Sequence, residues 1–258
     1  MKDYTEYFER IINSSFYKKN YKGQTPTFML HGTKDSNDIK IIKINKDRSP
    51  RHSYRIVHDW TNRKSEETFG ERLRSGFFTS FAKSRITVYG SENVAIPLGN
   101  YNLYQHETIS DFTIGLSDTL KYEVSDRIEK EIKTYHNSSQ MNRSVIRAIV
   151  HFSAKKATLD NLKTTLKEVI VEQLEKRKLD LLNDFTLNML VELFYDIIMD
   201  EVDNIATKYI DGIVKTQKIK DLNNENEVVV ITDAVILIPS EKIVKFWKEL
   251  KKYERDNS

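Results

Sequence analysis

Three short segments of the chain carry side chains that could do chemistry. They are FMLHGT (28–33), RSGFFTSFAKSRITVYG (74–90) and NENEVVV (224–230). Each one combines strand-forming residues with polar groups at one end. The second segment holds more hydroxyls than a buried strand accommodates, and its glycine and β-branched residues do not suit a helix. Taken one at a time, each segment also has an ordinary interpretation, in which the aromatics belong to a core and the hydroxyls cap turns.

Residues that the sequence lacks exclude several other chemistries. There is no cysteine, so disulfides, thiolate nucleophiles and cysteine-based zinc sites are excluded. The six histidines show no HExxH or similar spacing, so no metal site is predicted. No GxGxxG, GxxxxGK[ST] or GxSxG motif occurs, so the Rossmann, P-loop and α/β-hydrolase classes are unsupported.

The composition is that of a folded chain with nearly balanced charge. Hydrophobic residues make up 39% and charged residues 31% of the 258 residues, and the formal net charge is +3. This balance does not indicate a strongly basic nucleic-acid scaffold. The first residues lack the apolar run of a signal peptide, and no segment approaches the ~20 apolar residues that span a bilayer. We therefore expect a soluble, cytoplasmic protein without a membrane partner.

The spacing of apolar residues predicts an α+β fold. Strands are predicted in the first 116 residues, where Pro97 and Gly99 indicate an edge or a bend. From residue 117 to 222, apolar residues recur at spacings of three and four with almost no glycine or proline, which predicts a helical block. The strand pattern returns in residues 223–258. Since strands flank the helices, we expect one core, residues 1–116 and 223–258, with a helical insertion at 117–222.

The order of the three segments resembles the ADP-ribosyltransferase superfamily. A strand ending in His31-Gly32-Thr33 comes first, a Gly-aromatic-aromatic-Thr-Ser run with Lys-Ser and Tyr89 follows, and Glu227 opens a β-branched strand. This His–Tyr–Glu order resembles the branch that contains the poly-ADP-ribose polymerases. The stretch RSPRHSYRIVHDW…FGERLRSGFFTSF also resembles phage and bacterial toxin-like members. The resemblance covers about residues 27–112 and 224–239, and it leaves the helical block unexplained.

The resemblance implies a split β-sheet core that binds NAD as a substrate. It assigns the catalytic roles to Glu227, Tyr89 and His31. Glu227 would stabilise the positive charge that develops on the ribose as the bond to nicotinamide breaks. Aromatic rings would flank the nicotinamide, hydroxyls would hold it, and arginines would bind the diphosphate. The implied NAD-binding residues are His31, Gly32, Arg48, Arg51, Arg74, Phe78, Thr79, Ser80 and Tyr89. Phe78 stands where many relatives have tyrosine.

The predicted function is transfer of ADP-ribose from NAD to a macromolecular acceptor, which is RNA, DNA or protein. The resemblance suggests a toxin or an effector in phage–host conflict, with an antitoxin or a regulatory protein as a further partner. Two alternatives stay open. One is an NAD glycohydrolase, and the other is a non-catalytic interaction module that binds a partner through its helical block. The enzyme hypotheses require His31, Tyr89 and Glu227 to converge.

Overall fold

The computed structural model describes residues 4–34, 37–46, 54–86, 89–108, 112–135, 141–179 and 182–257. The chain divides into two compact units. The sheet unit consists of residues 1–47, 75–110 and 212–258, and the helical unit consists of residues 48–74 and 111–211. The division differs from the predicted limits at both ends of the helical insertion, since residues 111–116 group with the helices, while residues 212–222, which include a strand at Ile213–Thr216, group with the sheet. It also differs at residues 48–74. Residues 48–74 group with the helices, because the helix that they contain packs against two others of that unit.

The described part of the sheet unit contains a six-stranded antiparallel sheet. Its strands are β1 (Met29–Thr33), β2 (Lys40–Lys43), β3 (Phe77–Thr79), β4 (Ser91–His106), β5 (Ile213–Thr216) and β6 (Val228–Pro239). The two long strands, β4 and β6, pair with each other at the centre. β1 and β5 flank β4, while β2 and β3 flank β6. The predicted α+β class is confirmed.

Pro97 and Gly99 lie within the central strand β4, at an irregularity in its pairing with β6. The register between the two strands shifts between Leu98 and Tyr101, so the predicted bend is present. The alternative of an edge strand is wrong. β4 tolerates a proline because β1 covers only its residues 91–95 and β5 only residues 103–106. Pro97 therefore falls where one side of the strand has no neighbour to which an N–H could donate.

Helices cover the sheet and supply much of its apolar core. They are α1 (Thr5–Asn13), α2 (Ser15–Asn20), the short α4 (Lys83–Ile86) and α9 (Ile243–Asp256). The Ser14 hydroxyl accepts from the backbone N–H of Tyr17 at 3.1 Å, which fixes the start of α2. Phe8 of α1 packs edge-on against Phe246 of α9, with ring centroids 5.0 Å apart. These contacts join the two ends of the chain into one core.

The helical unit is built around its longest helix. It contains α3 (Arg55–Phe69), α5 (Phe112–Tyr135), α6 (Arg143–Lys156), α7 (Leu162–Lys176) and α8 (Asp184–Asp211). α8 contacts α3, α5 and α7. Asp203 of α8 accepts from the indole N–H of Trp60 at 2.9 Å and pairs with Lys64 at 2.6 Å. Among the residues that the structure describes, no helix has the length and apolar character needed to cross a membrane.

Candidate functional site

The short strand β3 lies between β6 and β1 and so brings together the three segments singled out by sequence. On one side, Phe78 pairs with Val229 and Thr79 with Val228. On the other side, Leu30 and Ser80 exchange two backbone hydrogen bonds, of 2.8 and 2.9 Å. We call residues 30–32, 78–80 and 227–228 the junction. The junction is held by main-chain hydrogen bonds, which fix the geometry of any side chain attached to it.

His31 is fastened to β3 by its side chain. Its Nδ1 lies 2.8 Å from the carbonyl oxygen of Phe78, and its ring lies against that of Phe77 with centroids 4.2 Å apart. A carbonyl oxygen can only accept, so Nδ1 is the nitrogen that carries the hydrogen in this contact. The half-buried ring is thus held in one orientation, and a ligand would meet its Nε2 edge.

Gly32 permits an unusually close approach between β1 and the segment that carries Tyr89. A Cβ atom at Gly32 would lie 2.5 Å from the carbonyl oxygen of Ile86 and 2.8 Å from the Cβ of Tyr89. Gly90 permits a second close approach between the same two segments. Its φ is +126°, and a Cβ there would lie 2.4 Å from the carbonyl oxygen of Thr33. Tyr89 itself is 49% exposed. The Cβ of Tyr89 therefore lies close to Gly32, and about half of the residue is exposed.

The three junction residues at positions 78–80 divide between structural and surface roles. The buried Thr79 hydroxyl donates to the carbonyl of Val228 at 3.2 Å, and the buried Ser80 hydroxyl accepts from the N–H of Ala82 at 3.1 Å. Both hydroxyls are therefore engaged within the protein. Phe78 is half-buried and is the aromatic of this strand that reaches solvent. Of the predicted ring-holding residues, Phe78 and Tyr89 are the ones that present a surface.

Glu227 lies immediately before the first residue of β6 and is half-buried. Since Val228 pairs with Thr79, Glu227 emerges next to Ser80, at the same end of β3 that bonds to Leu30. The predicted catalytic residues His31 and Glu227 thus lie on segments that both bond to β3. The enzyme hypotheses also require the side chains of His31, Tyr89 and Glu227 to converge, and that requirement stays a prediction.

Two amide side chains hold the segment that leads into Glu227. Gln105 of β4 donates through Nε2 to the carbonyls of Asn223 and Asn226, at 2.7 and 3.2 Å, and accepts from the N–H of Asn223 at 2.6 Å. Asn226 donates in turn to the carbonyls of His106 and Glu107, at 2.9 and 3.0 Å. Both amides are about 95% buried, so these bonds are shielded from water.

Neither amide was found by reading the sequence. Asn226 directly precedes the predicted catalytic Glu227, and a buried amide next to such a residue is a signal that could have been used. Gln105 gave no such signal, because its role depends on the pairing of β4 with β6.

The described structure does not test the prediction that three arginines bind the diphosphate. Arg48 and Arg51 lie outside the described residues. Arg74 belongs to the helical unit, where it is buried and its backbone N–H donates to the Asn62 side chain at 2.7 Å. The geometry of the junction therefore does not identify the cationic residues that would bind the diphosphate.

Comparison of the chain with family models, curated proteins and solved structures found no match. The function is therefore argued from the junction and its chemistry.

Proposed function

We propose that this protein is an ADP-ribosyltransferase that cleaves the bond between nicotinamide and ribose in NAD and transfers ADP-ribose to a macromolecule. The observation that carries the proposal is that β3 bonds to both the segment of His31 and the segment of Glu227, although the two are far apart in the chain. Such convergence is not needed by the alternative in which each segment is ordinary core or turn. The toxin or conflict-effector setting rests on the sequence resemblance alone.

The chemistry suits the groups present. Nicotinamide leaves with the electron pair of the broken C–N bond, and the ribose carbon becomes an oxocarbenium-like centre. A carboxylate at Glu227 stabilises that charge and binds the ribose hydroxyls. The acceptor then attacks the ribose carbon through an oxygen or nitrogen and loses its proton. When water is the acceptor, the product is free ADP-ribose.

The nicotinamide ring would lie against Tyr89, next to the backbone of Gly32. The tyrosine ring is flat, the residue is half exposed, and its Cβ lies close to the Gly32 backbone. Phe78 would supply a second apolar surface, and His31 would bind a ribose or amide group through Nε2. These roles follow the resemblance, and the contacts described above support them.

An ADP-ribosyltransferase-like split sheet is part of the same proposal. β4 and β6 exchange their outer neighbours at the register shift. One half of the pair is flanked by β1 and β2, and the other half by β5 and β3. A sheet that changes neighbours midway in this manner supports the expected division into two parts.

The proposal is tested by incubating the purified protein with adenylate-labelled NAD and separate pools of RNA, DNA and protein. We expect label to appear on one pool, together with released nicotinamide. Free labelled ADP-ribose with all pools unlabelled would identify a glycohydrolase instead. If NAD stays intact in every tube, including those with cell extract added, the transferase proposal fails and the interaction module is favoured.

Replacement of Asn226 by alanine is expected to lower kcat for NAD cleavage about tenfold with little change in KM. The substitution leaves the carbonyls of His106 and Glu107 without their donor, and Glu227 follows directly in the chain. Loss of position at a reacting group lowers the catalytic rate more than it lowers substrate binding. Steady-state kinetics of nicotinamide release, normalised to folded protein, give both constants.

Thr232→Ala is the matched control for Asn226→Ala. Thr232 is also buried and also donates to a β4 carbonyl, that of Leu98 at 2.6 Å, but it lies further along β6, at the register shift. Both variants should lose about 1–3 kcal/mol of stability. Equal losses of kcat in the two variants would show that Asn226 acts only on stability.

A further inference from the structure

A group of lysines on the sheet unit forms a surface that the proposed site does not use. Three lie on or just after α2 and three on β5 and the turn that follows it, and all six are exposed. They are Lys18, Lys19, Lys22, Lys215, Lys218 and Lys220. We call these six residues the lysine surface. Its two segments are far apart in the sequence, so the sequence gives no sign of the grouping.

Hydrogen bonds hold the two segments of the lysine surface together. Asn20 of α2 donates to the carbonyl of Gln217 at 3.2 Å and accepts from the N–H of Ile219 at 2.9 Å. The buried Tyr101 of β4 donates its hydroxyl to the same Gln217 carbonyl at 2.6 Å. Lys19 reaches the Gln217 side chain at 2.6 Å. The lysines therefore project from a rigid scaffold, as a binding surface requires.

The positive charge of the lysine surface is not neutralised by its surroundings. Within the described residues, no carboxylate forms a salt bridge with any of the six lysines. The nearby Asp221 accepts from the hydroxyl of Thr216 at 3.1 Å. Glu254 is bound by Tyr17 at 2.6 Å and by Lys251 at 3.1 Å.

The negative charge of Glu254 does little to offset the positive charge of the lysine surface. Burial raises its pKa, but the hydrogen bonds from Tyr17 and Lys251 outweigh that effect, and the charge of Lys22 adds to the lowering. Its negative charge is thus already matched by Lys251. A fixed excess of lysine charge remains on an otherwise balanced chain, and such an excess attracts polyanions.

The position of the lysine surface relates it to Glu227. Ile213 of β5 pairs with His106 of β4, and Val228 of β6 pairs with Gln105, so Glu227 is two strands away from β5. With about 4.8 Å between strands and about 3.3 Å per residue, the backbone of Lys215 lies about 12 Å from that of Glu227. A chain molecule bound along the lysines can therefore extend to the proposed site.

We infer that the lysine surface binds the phosphate backbone of a single-stranded nucleic acid and presents it as the acceptor for ADP-ribose. This inference rests on the proposed function for the transfer, but the binding itself does not. Lysine ammonium groups contact phosphates without needing a particular base. Two amides, Asn20 and Gln217, lie among the lysines, and Val214 is the exposed aliphatic residue of the β5 segment, which is less apolar surface than a membrane-binding face presents.

The test uses fluorescence anisotropy with short labelled single-stranded RNA and DNA, titrated at several salt concentrations. The variant replaces Lys18, Lys22, Lys218 and Lys220 by glutamine. Lys19 and Lys215 are kept, because one bonds to Gln217 and the other lies over the Tyr104 ring at 5.3 Å. We expect affinity at about 50 mM salt to fall at least tenfold, and the slope of log affinity against log salt to fall by about two to three.

The control carries the same loss of charge on helix α9, whose exposed basic residues are not part of the lysine surface. It replaces Lys245, Lys248, Lys252 and Arg255 of α9 by glutamine. We expect its affinity to stay within about twofold of the unmodified protein. Equal losses in both variants would show unspecific attraction and overturn the inference. Undetectable binding by the unmodified protein at low salt would overturn it as well, as would label transfer to the protein pool alone.

Cleavage of NAD by the unmodified protein, measured without nucleic acid, separates this inference from the proposed function. NAD cleavage without lysine-dependent binding overturns the inference and leaves the function standing. Lysine-dependent binding without NAD cleavage overturns the function and supports the surface.

Discussion

Substitution of Glu227 by glutamine is expected to lower the rate of NAD cleavage by about 10²–10³-fold while leaving KM for NAD nearly unchanged. Glutamine keeps the shape of the side chain and removes its negative charge. That charge stabilises the ribose only as the nicotinamide bond breaks, so its loss raises the barrier more than it weakens ground-state binding. Release of nicotinamide, followed over time at several NAD concentrations, provides both constants.

Glu241→Gln is the control for the loss of one carboxylate. Glu241 is exposed and follows β6 at the end opposite Glu227. The Glu241→Gln variant should keep the activity and the melting temperature of the unmodified protein. The Glu227 variant should also melt within a few degrees of the unmodified protein, because the residue is only half-buried. Retention of most of the NAD cleavage by folded Glu227→Gln would remove Glu227 from the proposed mechanism.

Substitution of Gly32 by alanine should weaken NAD binding at least tenfold and destabilise the protein by about 1–3 kcal/mol. The new methyl group would lie 2.5 Å from the Ile86 carbonyl oxygen and 2.8 Å from the Tyr89 Cβ. Both distances are shorter than contact distances, so the segment that carries Tyr89 must move away from β1. Thermal unfolding gives the loss of stability, and calorimetric titration with NAD gives the loss of affinity.

Gly23→Ala is the control that separates the steric clash expected at Gly32 from the general effect of replacing a glycine by alanine. Gly23 has a φ of +70° and nothing within 4 Å of a Cβ position. Its replacement should cost about 1–2 kcal/mol through backbone strain. NAD affinity should be unaffected, since a Cβ at Gly23 would contact no other residue. An unchanged melting temperature and NAD affinity for Gly32→Ala would contradict the close packing described for β1.

Local patterns in the sequence predict much of the fold because they reflect the environment of single elements. The IKIIKI run predicts a half-exposed strand, and β2 is found there. The 3.6-residue spacing around Leu190 and Phe194 predicts a buried helix, and both residues are buried in α8. Pro97 shows the limit of such patterns. The stability lost by placing a proline there depends on where the neighbouring strands end. That is a property of the sheet and not of β4 itself.

The candidate site is less predictable than the fold, for a related reason. The aromatic and hydroxyl residues of 74–90 were identified together, but the structure separates their roles. Thr79 and Ser80 bond within the protein, while Phe78 and Tyr89 present their rings. The partner strand decides which hydroxyl forms a hydrogen bond within the protein. Gln105 likewise acts on carbonyls more than one hundred residues later in the chain, and the sequence carries no local trace of that contact.

The pairing of β4 with β6 limits how early the sheet can fold during synthesis. β4 ends at residue 106, yet the strand that covers its other edge begins at residue 228. During synthesis, this edge of β4 therefore has no partner until residue 228 has been made. Pairings of such long sequence separation form slowly. Because β3 also takes its register from β6, the junction cannot assemble before β6 is complete, and a chain that stops before residue 227 lacks Glu227 altogether.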